Sequence, residues 1–285
     1  MYKPIIIIGA PRSGTNMLRN VLCSIDGVGT WSCDEINYIW KHGNINEDSD
    51  EFTADMATPA IIKYIRKQVD HLANSEKLDY VVEKTCANSL RVSFVDKVLP
   101  DAHYIFIVRN GLDVVASANL RWTAKLDIPY LIKKVKYVPL VDLPIYATRY
   151  LWSHIYRKFS GEKRLAFWGP QLKNMKEYLN KNTLDEICAI QWKTCVEASE
   201  RDLNKLPENR VSRVRYEDFV NNPEAELKKI CSEANIKTDE TTIQDAVAKV
   251  SNKSIGKWQE QLDQNNINTL QPIIKHTMEK YGYND

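Results

Sequence analysis

The sequence lacks the long apolar runs of membrane proteins and the basic surplus of nucleic-acid-binding proteins. No apolar run approaches the ~20 residues that a transmembrane helix needs, so we expect no membrane span. The formal net charge is only +2, from 39 basic and 37 acidic residues. This balance argues against nucleic acid as the main partner, because nucleic-acid binding usually needs a clustered basic surplus. Apolar residues make up 44% of the chain and charged residues 27%, which is typical of a soluble α/β protein.

Disulfide and metal-binding signatures are also missing. The six cysteines form no C-x-x-C pair and are few for 285 residues, so we expect reduced thiols. The five histidines show no H-E-x-x-H or comparable spacing, and we therefore predict no protein-bound metal. The first apolar segment begins within five residues of the start and leaves no room for a signal peptide, which makes the cytoplasm the default compartment.

The most informative stretch is residues 4–22, which read P-I-I-I-I-G-A-P-R-S-G-T-N-M-L-R-N-V-L. Its four consecutive isoleucines are too β-branched for a good helix, which indicates a strand buried on both faces and hence a parallel sheet. Gly9 and Gly14 then allow close backbone approach, and Ser13 or Thr15 opens a helix. A strand, a glycine loop and a helix in this order point backbone N–H groups at an anion.

The two glycines have the spacing of the nucleotide-binding P-loop, G-x-x-x-x-G-K-[ST], but two positions depart from it. Thr15 stands where the lysine belongs, and Asn16 stands where a magnesium-ligating hydroxyl belongs. The fixed cation is Arg12, whose planar guanidinium can bind a phosphate or sulfate in bidentate fashion. The loop is therefore predicted to bind an anion without a metal. The alternative is an ordinary tight turn with one exposed arginine.

A second anion-binding element is predicted at residues 104–117. An apolar run of strand length ends there in Arg109, where a magnesium-dependent P-loop enzyme would often place an aspartate. A cation at the carboxyl end of a parallel strand, beside a helix N-terminus near Asp113, suits an anionic group in the ligand-binding crevice. The alternatives are a surface salt bridge between Arg109 and Asp113, and a solvated helix position for Ser117.

Together, these two stretches resemble the sulfotransferases that use 3′-phosphoadenosine 5′-phosphosulfate (PAPS). The A-P-R-S-G-T of residues 10–15 is similar to the family's 5′-phosphosulfate loop, and residues 104–117 are similar to its 3′-phosphate element. Strand and helix alternate along the chain, so we expect a three-layer α/β fold with a doubly wound parallel sheet of the P-loop type. The resemblance implies PAPS as the donor, no metal, and donor contacts at Arg12, Ser13, Gly14, Thr15, Asn16, Met17, Arg109 and Ser117.

Adjacent carboxylates follow the first loop. Asp34 and Glu35 lie beside aromatic residues and form a candidate acid/base site. In sulfotransferases that act on tyrosine or glycans, a glutamate at about this place is the general base, and Glu35 matches it best. Asp34 could instead be the base, or could cap the next helix.

Residues 79–85, D-Y-V-V-E-K-T, indicate another buried strand and resemble the E-K-T element of glycan-type sulfotransferases. Lys84 could neutralise the negative charge that grows on the bridging oxygen as the S–O bond breaks. The alternative is an ion pair with Glu83 or Glu35. Cytosolic small-molecule sulfotransferases have a histidine where this chain has Cys86. The absence of that histidine favours a carboxylate as the base.

Residues 120–171 show no new sheet unit, and we interpret them as a helical and loop insertion over the cleft, on the acceptor side. Their interleaved aromatic and basic residues could hold a sugar or an anionic acceptor. They could equally be core contacts beside a solvated basic face. By resemblance, Tyr216 of R-Y-E-D-F is an adenine contact, and Lys257 of N-K-S-I-G-K-W is a basic contact to the 3′-phosphate.

The sequence thus predicts one domain over residues 1–285, with a hydroxyl-bearing acceptor as its partner. The predicted reaction moves a sulfuryl group from PAPS to a hydroxyl of a glycan, a tyrosyl residue or another alcohol, with Arg12, Glu35 and Lys84 as catalytic residues. Two alternatives stay open. One is a divergent P-loop kinase for a nucleotide or small molecule, and the other is a catalytically inactive nucleotide-binding protein.

Overall fold

The computed structural model of this chain describes residues 2–122, 134, 136–146, 148 and 168–283. Most of the insertion predicted at 120–171 therefore lies outside the described residues. Within them, five strands form one sheet: β1 (Lys3–Ile8), β2 (Val28–Gly29), β3 (Tyr80–Glu83), β4 (His103–Val108) and β5 (Val211–Arg215). Their order is β2-β3-β1-β4-β5, and every neighbouring pair is parallel. The prediction of an α/β fold with a parallel sheet is confirmed.

The four isoleucines of β1 show why the sheet has helices on both sides. Successive side chains of a strand point to opposite faces. Ile5 and Ile7 accordingly pack into one hydrophobic core, whereas Ile6 and Ile8 pack into another. None of the four is more than 1% exposed. One sheet between two cores gives the three layers expected of a doubly wound fold.

The described helices are α1 (Thr15–Leu22), α2 (Asn37–Lys41), α3 (Pro59–Glu76), α4 (Val92–Val98), α5 (Gly111–Trp122), α6 (Met175–Lys181), α7 (Leu184–Leu203), α8 (Tyr216–Asn221), α9 (Pro223–Ala234), α10 (Glu240–Val247), α11 (Trp258–Gln261) and α12 (Gln264–Lys280). Helices α1, α8, α9 and α10 contribute to the core of Ile5 and Ile7. Helices α2, α3, α4, α5, α6, α7 and α12 contribute to the other core. In the described part of the chain, no helix has the length and apolar character needed to cross a bilayer.

The sheet order decides which side chains meet. Because all five strands are parallel, their carboxyl ends lie at one edge of the sheet, where such folds bind ligands. Along that edge the neighbouring strands β3, β1, β4 and β5 are followed by Lys84, the loop of residues 9–14, Arg109 and Tyr216. Residues far apart in the sequence are thereby brought to one crevice.

Candidate active site

The loop after β1 has the backbone of a tight anion-binding turn. Arg12 and Gly14 have φ angles of 69° and 88°, in the left-handed region that favours glycine. A Cβ atom on Gly14 would overlap the ring of Tyr216, so a larger residue does not fit. Ser13 is fully buried, and its hydroxyl has no hydrogen-bond partner among the described residues. Since such a group normally costs stability, its presence suits a loop that receives oxygen atoms from a ligand.

Arg12 connects this loop to α5. Its Nε donates to Ser117 Oγ at 2.9 Å, and its carbonyl oxygen accepts from Arg109 Nη1 at 3.1 Å. Burial lowers the pKa of Arg12, and the positive charges of Arg121 and Arg109 lower it further. The two arginines predicted to bind anions therefore lie side by side in one crevice. Ser117 contacts Arg12, whereas the sequence had grouped it with Arg109.

Arg109 is only 6% exposed, and its guanidinium lies 4.5 Å from the centre of the Tyr216 ring. Nη2 donates to the carbonyl oxygen of Ser254 and lies 3.5 Å from Asp113 Oδ2. Nε has no hydrogen-bond partner within the described residues. The pair with Asp113 that the sequence offered as an alternative does form, but it is buried and not on the surface, with side chains 8% and 1% exposed.

Asp113 also fastens the loop before α11 onto this crevice. Its Oδ2 accepts from the backbone N–H of Gly256 at 2.9 Å, and its Oδ1 accepts from that of Trp258 at 3.1 Å. The hydroxyls of Tyr216 and Ser254 lie 2.5 Å apart. Lys257 belongs to the same loop, and its side chain is exposed. The loop thus covers Arg109, and sequence analysis had given neither Asp113 nor Ser254 this role.

Glu35 and Lys84 form the charged pair at the other end of the crevice. Lys84 Nζ donates to Glu35 Oε1 at 3.0 Å, and their side chains are 3% and 28% exposed. Burial opposes ionisation of Glu35, but the charges of Lys84 and Lys134 and a hydrogen bond from Lys84 outweigh it and bring the pKa of Glu35 to about 2. Burial also acts to lower the pKa of Lys84, yet the net shift is upward, with Glu35 among its causes. Both groups are therefore charged at neutral pH.

Asp34 faces away from this pair. Arg19 Nη1 donates to its Oδ1 at 3.1 Å, and the Asp34 side chain is 44% exposed. Of the two candidate bases, Glu35 is the one that contacts Lys84.

Cys86 joins the charged pair to the loop. Its backbone N–H donates to Glu35 Oε1 at 3.4 Å, and its Sγ lies 3.8 Å from Thr15 Oγ1. Burial raises the pKa of the Cys86 thiol, so it stays protonated. At the start of α1, Asn16 is exposed and Met17 packs partly against the core of Ile5 and Ile7. The described residues form no group of three or more His, Cys, Asp and Glu side chains placed to hold a metal ion.

The chain has similarity in sequence and in fold to known proteins. The sequence model of the family described as "Sulfotransferase family" matches residues 4–161 and 154–240. The chain belongs to the sulfotransferase family. It is therefore an enzyme that transfers sulfate, and the predicted family is confirmed. No curated protein matches the sequence.

Solved sulfotransferases have a similar fold at low sequence identity. The sulfotransferase domain from the curacin biosynthetic pathway is 13% identical with a TM-score of 0.56, covering 100% of this chain and 99% of that one. The sulfotransferase domain of the Synechococcus PCC 7002 olefin synthase is 16% identical with a TM-score of 0.54, covering 100% and 96%. Mouse sulfotransferase SULT7A1, solved with PAP, is 15% identical with a TM-score of 0.50, covering 97% and 85%. These likenesses show the fold.

Proposed function

We propose that this sulfotransferase moves a sulfuryl group from PAPS to an acceptor hydroxyl, with Glu35 as the general base. The observation that carries the proposal is the 3.0 Å pair of Glu35 and Lys84, which adjoins the anion-binding loop through Cys86 and Thr15. A carboxylate beside a buried ammonium can accept a proton while the ammonium stabilises a leaving oxygen. The mouse relative's complex with PAP, the desulfated form of PAPS, supports the choice of donor.

The donor would lie along the crevice from the loop to Arg109. The Ser13 hydroxyl and Arg109 Nε, which have no partner in the described part of the chain, are polar groups that anionic oxygens would satisfy. Arg12, Ser13, Gly14 and the first N–H groups of α1, from Thr15, Asn16 and Met17, would hold the 5′-phosphosulfate. Arg109 and Ser117 would hold the 3′-phosphate, Tyr216 would contact the adenine, and Lys257 would add a positive charge from the covering loop.

Ser117 can serve this role although it already contacts Arg12. Because Arg12 Nε donates to its oxygen, the hydroxyl hydrogen of Ser117 can still be donated to a phosphate oxygen. The same contact holds the Arg12 guanidinium toward the crevice, beside Arg109. Ser117 thus holds one of the two arginines that would bind the donor.

The chemistry follows from the charges at the other end. PAPS supplies the sulfuryl group. Glu35 accepts the proton of the acceptor hydroxyl, the oxygen of that hydroxyl bonds to sulfur, and Lys84 neutralises the charge left on the departing phosphate oxygen. With a pKa of about 2, Glu35 is ionised but weakly basic at rest. As Lys84 turns its charge to the departing oxygen, the pKa of Glu35 rises toward the value that proton transfer needs.

The acceptor would bind where residues of the 120–171 region meet the segment that carries Glu35. Tyr137 Oη lies 2.7 Å from Ser32 Oγ, and Asp142 Oδ2 lies 2.8 Å from His42 Nδ1. These contacts support an acceptor side in this region of one 1–285 domain. The aromatic and basic residues there suit a glycan, a tyrosyl peptide or another alcohol.

A binding assay followed by a transfer assay tests the proposal. Adenosine 3′,5′-bisphosphate in excess chelator should raise the melting temperature of the wild type, because the ligand binds only the native state. Arg12→Ala should abolish the shift, whereas Lys67→Ala, at an exposed position of α3, should leave it unchanged. Labelled PAPS with a panel of hydroxyl acceptors should then show transfer.

Two outcomes would contradict the proposed function. Stabilisation by ATP with magnesium, without stabilisation by the bisphosphate, would indicate a kinase. Binding of the bisphosphate without transfer to any acceptor class in the panel would indicate an inactive binding protein.

A further inference from the structure

Thr85 lies between the candidate base and β3, the strand that precedes Lys84. It follows Lys84 at the end of β3 and is completely buried. Its hydroxyl accepts from the backbone N–H of Ile36 at 3.2 Å and donates to Glu83 Oε1 at 2.5 Å. Ile36 directly follows Glu35, and Glu83 is the last residue of β3. The Thr85 hydroxyl therefore connects the main chain next to Glu35 to the end of β3, next to Lys84.

Each of these bonds has a defined donor. The backbone N–H of Ile36 donates to Thr85 Oγ1, and the Thr85 hydroxyl donates to the Glu83 carboxylate. Glu83 is 1% exposed, and its second oxygen accepts from Asn88 Nδ2 at 2.7 Å. Asn88 Oδ1 in turn accepts from Arg91 Nε at 2.8 Å. Thr85 is thus anchored to a buried network with little freedom to move.

Glu35 needs such an anchor, because residues 30–36 belong to no helix or strand. Its side chain is held by Lys84 and by the N–H of Cys86, and the thiol of Cys33 contacts its carbonyl oxygen at 3.6 Å. These side-chain contacts hold the carboxylate of Glu35 but not the main chain that follows it. The bond from the N–H of Ile36 to Thr85 is a buried contact of that main chain.

We propose that Thr85 is a positioning residue that holds Glu35 against Lys84 through the backbone of Ile36. The consequence for turnover rests on the proposed function, whereas the consequence for the ion pair does not. Thr85→Val keeps the shape of the side chain and removes the hydroxyl. Thr85→Ser keeps the hydroxyl and removes a methyl group, which makes it the matched control.

The first measurement is the pKa of the Glu35 carboxyl in the whole chain, by NMR with ¹³C-labelled glutamate and Glu35→Gln for assignment. Wild type and Thr85→Ser should both titrate near pH 2, as expected for the intact pair. Thr85→Val should titrate at least one pH unit higher, because a carboxylate that is not held at Lys84 returns toward its ordinary pKa. An unchanged titration in Thr85→Val overturns the proposal, even if the variant melts at a lower temperature.

The second measurement is sulfate transfer. Thr85→Val should lower kcat by about 10- to 100-fold, the scale of a misplaced general base, with the KM for PAPS unchanged. Thr85→Ser should stay within about threefold of the wild type, since the bonding pattern is kept. Full kcat in Thr85→Val, or a loss confined to binding of the bisphosphate, also overturns the proposal. A wild type without transfer would refute the proposed function alone, because the titration still decides the role of Thr85.

If Thr85→Val does not fold, hydrogen exchange in the wild type decides instead. The amide of Ile36 should exchange as slowly as the amides of β3, because its acceptor is buried. Exchange as fast as that of the exposed residues 46–48 would show that Thr85 does not hold this segment.

Discussion

The two ends of the crevice differ in how their charged groups are paired. At the proposed donor end, Arg109 pairs with Asp113 but also lies beside Arg12. Burial lowers the pKa of Arg12, and the charges of Arg121 and Arg109 lower it further. Arg109 Nε and the buried Ser13 hydroxyl have no partner among the described residues. At the catalytic end, Glu35 and Lys84 already neutralise one another at 3.0 Å.

This difference suggests that donor binding and turnover depend on different ends of the crevice. An anion entering the donor end relieves repulsion and fills unmet hydrogen bonds, so binding should depend chiefly on that end. The catalytic end gains nothing from an anion until Lys84 is drawn to the departing oxygen, so it should affect turnover more than binding. Substitutions at each end can test the division.

The largest effect is expected at the donor end, from Arg12→Ala. Loss of the loop's cation should lower kcat/KM by about 10³-fold or more, the scale seen when one preorganised donor to a developing charge is removed. The thermal shift with adenosine 3′,5′-bisphosphate should disappear too. Arg12→Lys should recover part of the binding, because it restores the charge without the planar fork. Normal turnover in Arg12→Ala would contradict the assignment of the loop.

Glu35→Gln, at the proposed catalytic end, should lower turnover without weakening binding of the bisphosphate. We expect kcat to fall by about 10²-fold or more, as for loss of a general base, with binding of the bisphosphate unchanged. Steady-state kinetics and the thermal shift measure the two quantities separately. A weakened bisphosphate affinity with normal kcat would place Glu35 in the donor site.

The same substitution has a pH-dependent effect on stability. Because the folded-state pKa of Glu35 is lowered from 4.5 to about 2, its stabilising contribution is present above pH 4.5 and is lost as the pH falls toward 2. The difference in unfolding free energy between wild type and Glu35→Gln should be at most about 3 kcal/mol at neutral pH and should shrink across that window. Urea unfolding at several pH values measures it, and a difference that grows on acidification would contradict the ion pair.

Asp113→Asn should have an intermediate effect at the donor end. The carboxylate of Asp113 accepts from the backbone N–H groups of Gly256 and Trp258. The amide of the variant would place its NH₂ group against one of these two donors. Leaving such groups unpaired costs about 1–3 kcal/mol, so the loop should detach from Arg109 and the bisphosphate Kd should rise roughly tenfold. Asp101→Asn, at an exposed pair with Arg66, is the control. Equal Kd values for the two variants would show that the loop does not support binding.

The strands were predictable from the sequence because their cause is local. The isoleucines of β1 and the apolar run before Arg109 specify buried parallel strands, and parallel strands bring the residues that follow them to one edge. The contacts between those residues were not predictable in the same way. The pairing of Ser117 with Arg12 and the hold of Asp113 on Gly256 join positions 105 and 143 residues apart, and no periodicity encodes them.

The choice between Asp34 and Glu35 shows the same limit at short range. Both follow β2 in a segment without helix or strand, so no alternation assigns a direction to either side chain. Arg19 on α1 and Lys84 after β3 determine which carboxylate faces which way. The positions of Arg19 and Lys84 depend on how α1 and β3 pack together. The sequence around residue 34 does not contain that information.

The smallest effect is expected from Asp34→Asn, and it sharpens the comparison within the catalytic end. Asp34 is 44% exposed and pairs with Arg19, an arrangement usually worth about 0–1 kcal/mol. We expect kcat within about twofold of the wild type and a small loss of stability that salt reduces, since exposed pairs are screened. Steady-state kinetics beside Glu35→Gln provides the test. A fall in kcat as large as that of Glu35→Gln would move the base to Asp34, and Lys84 would then have to exchange partners during turnover.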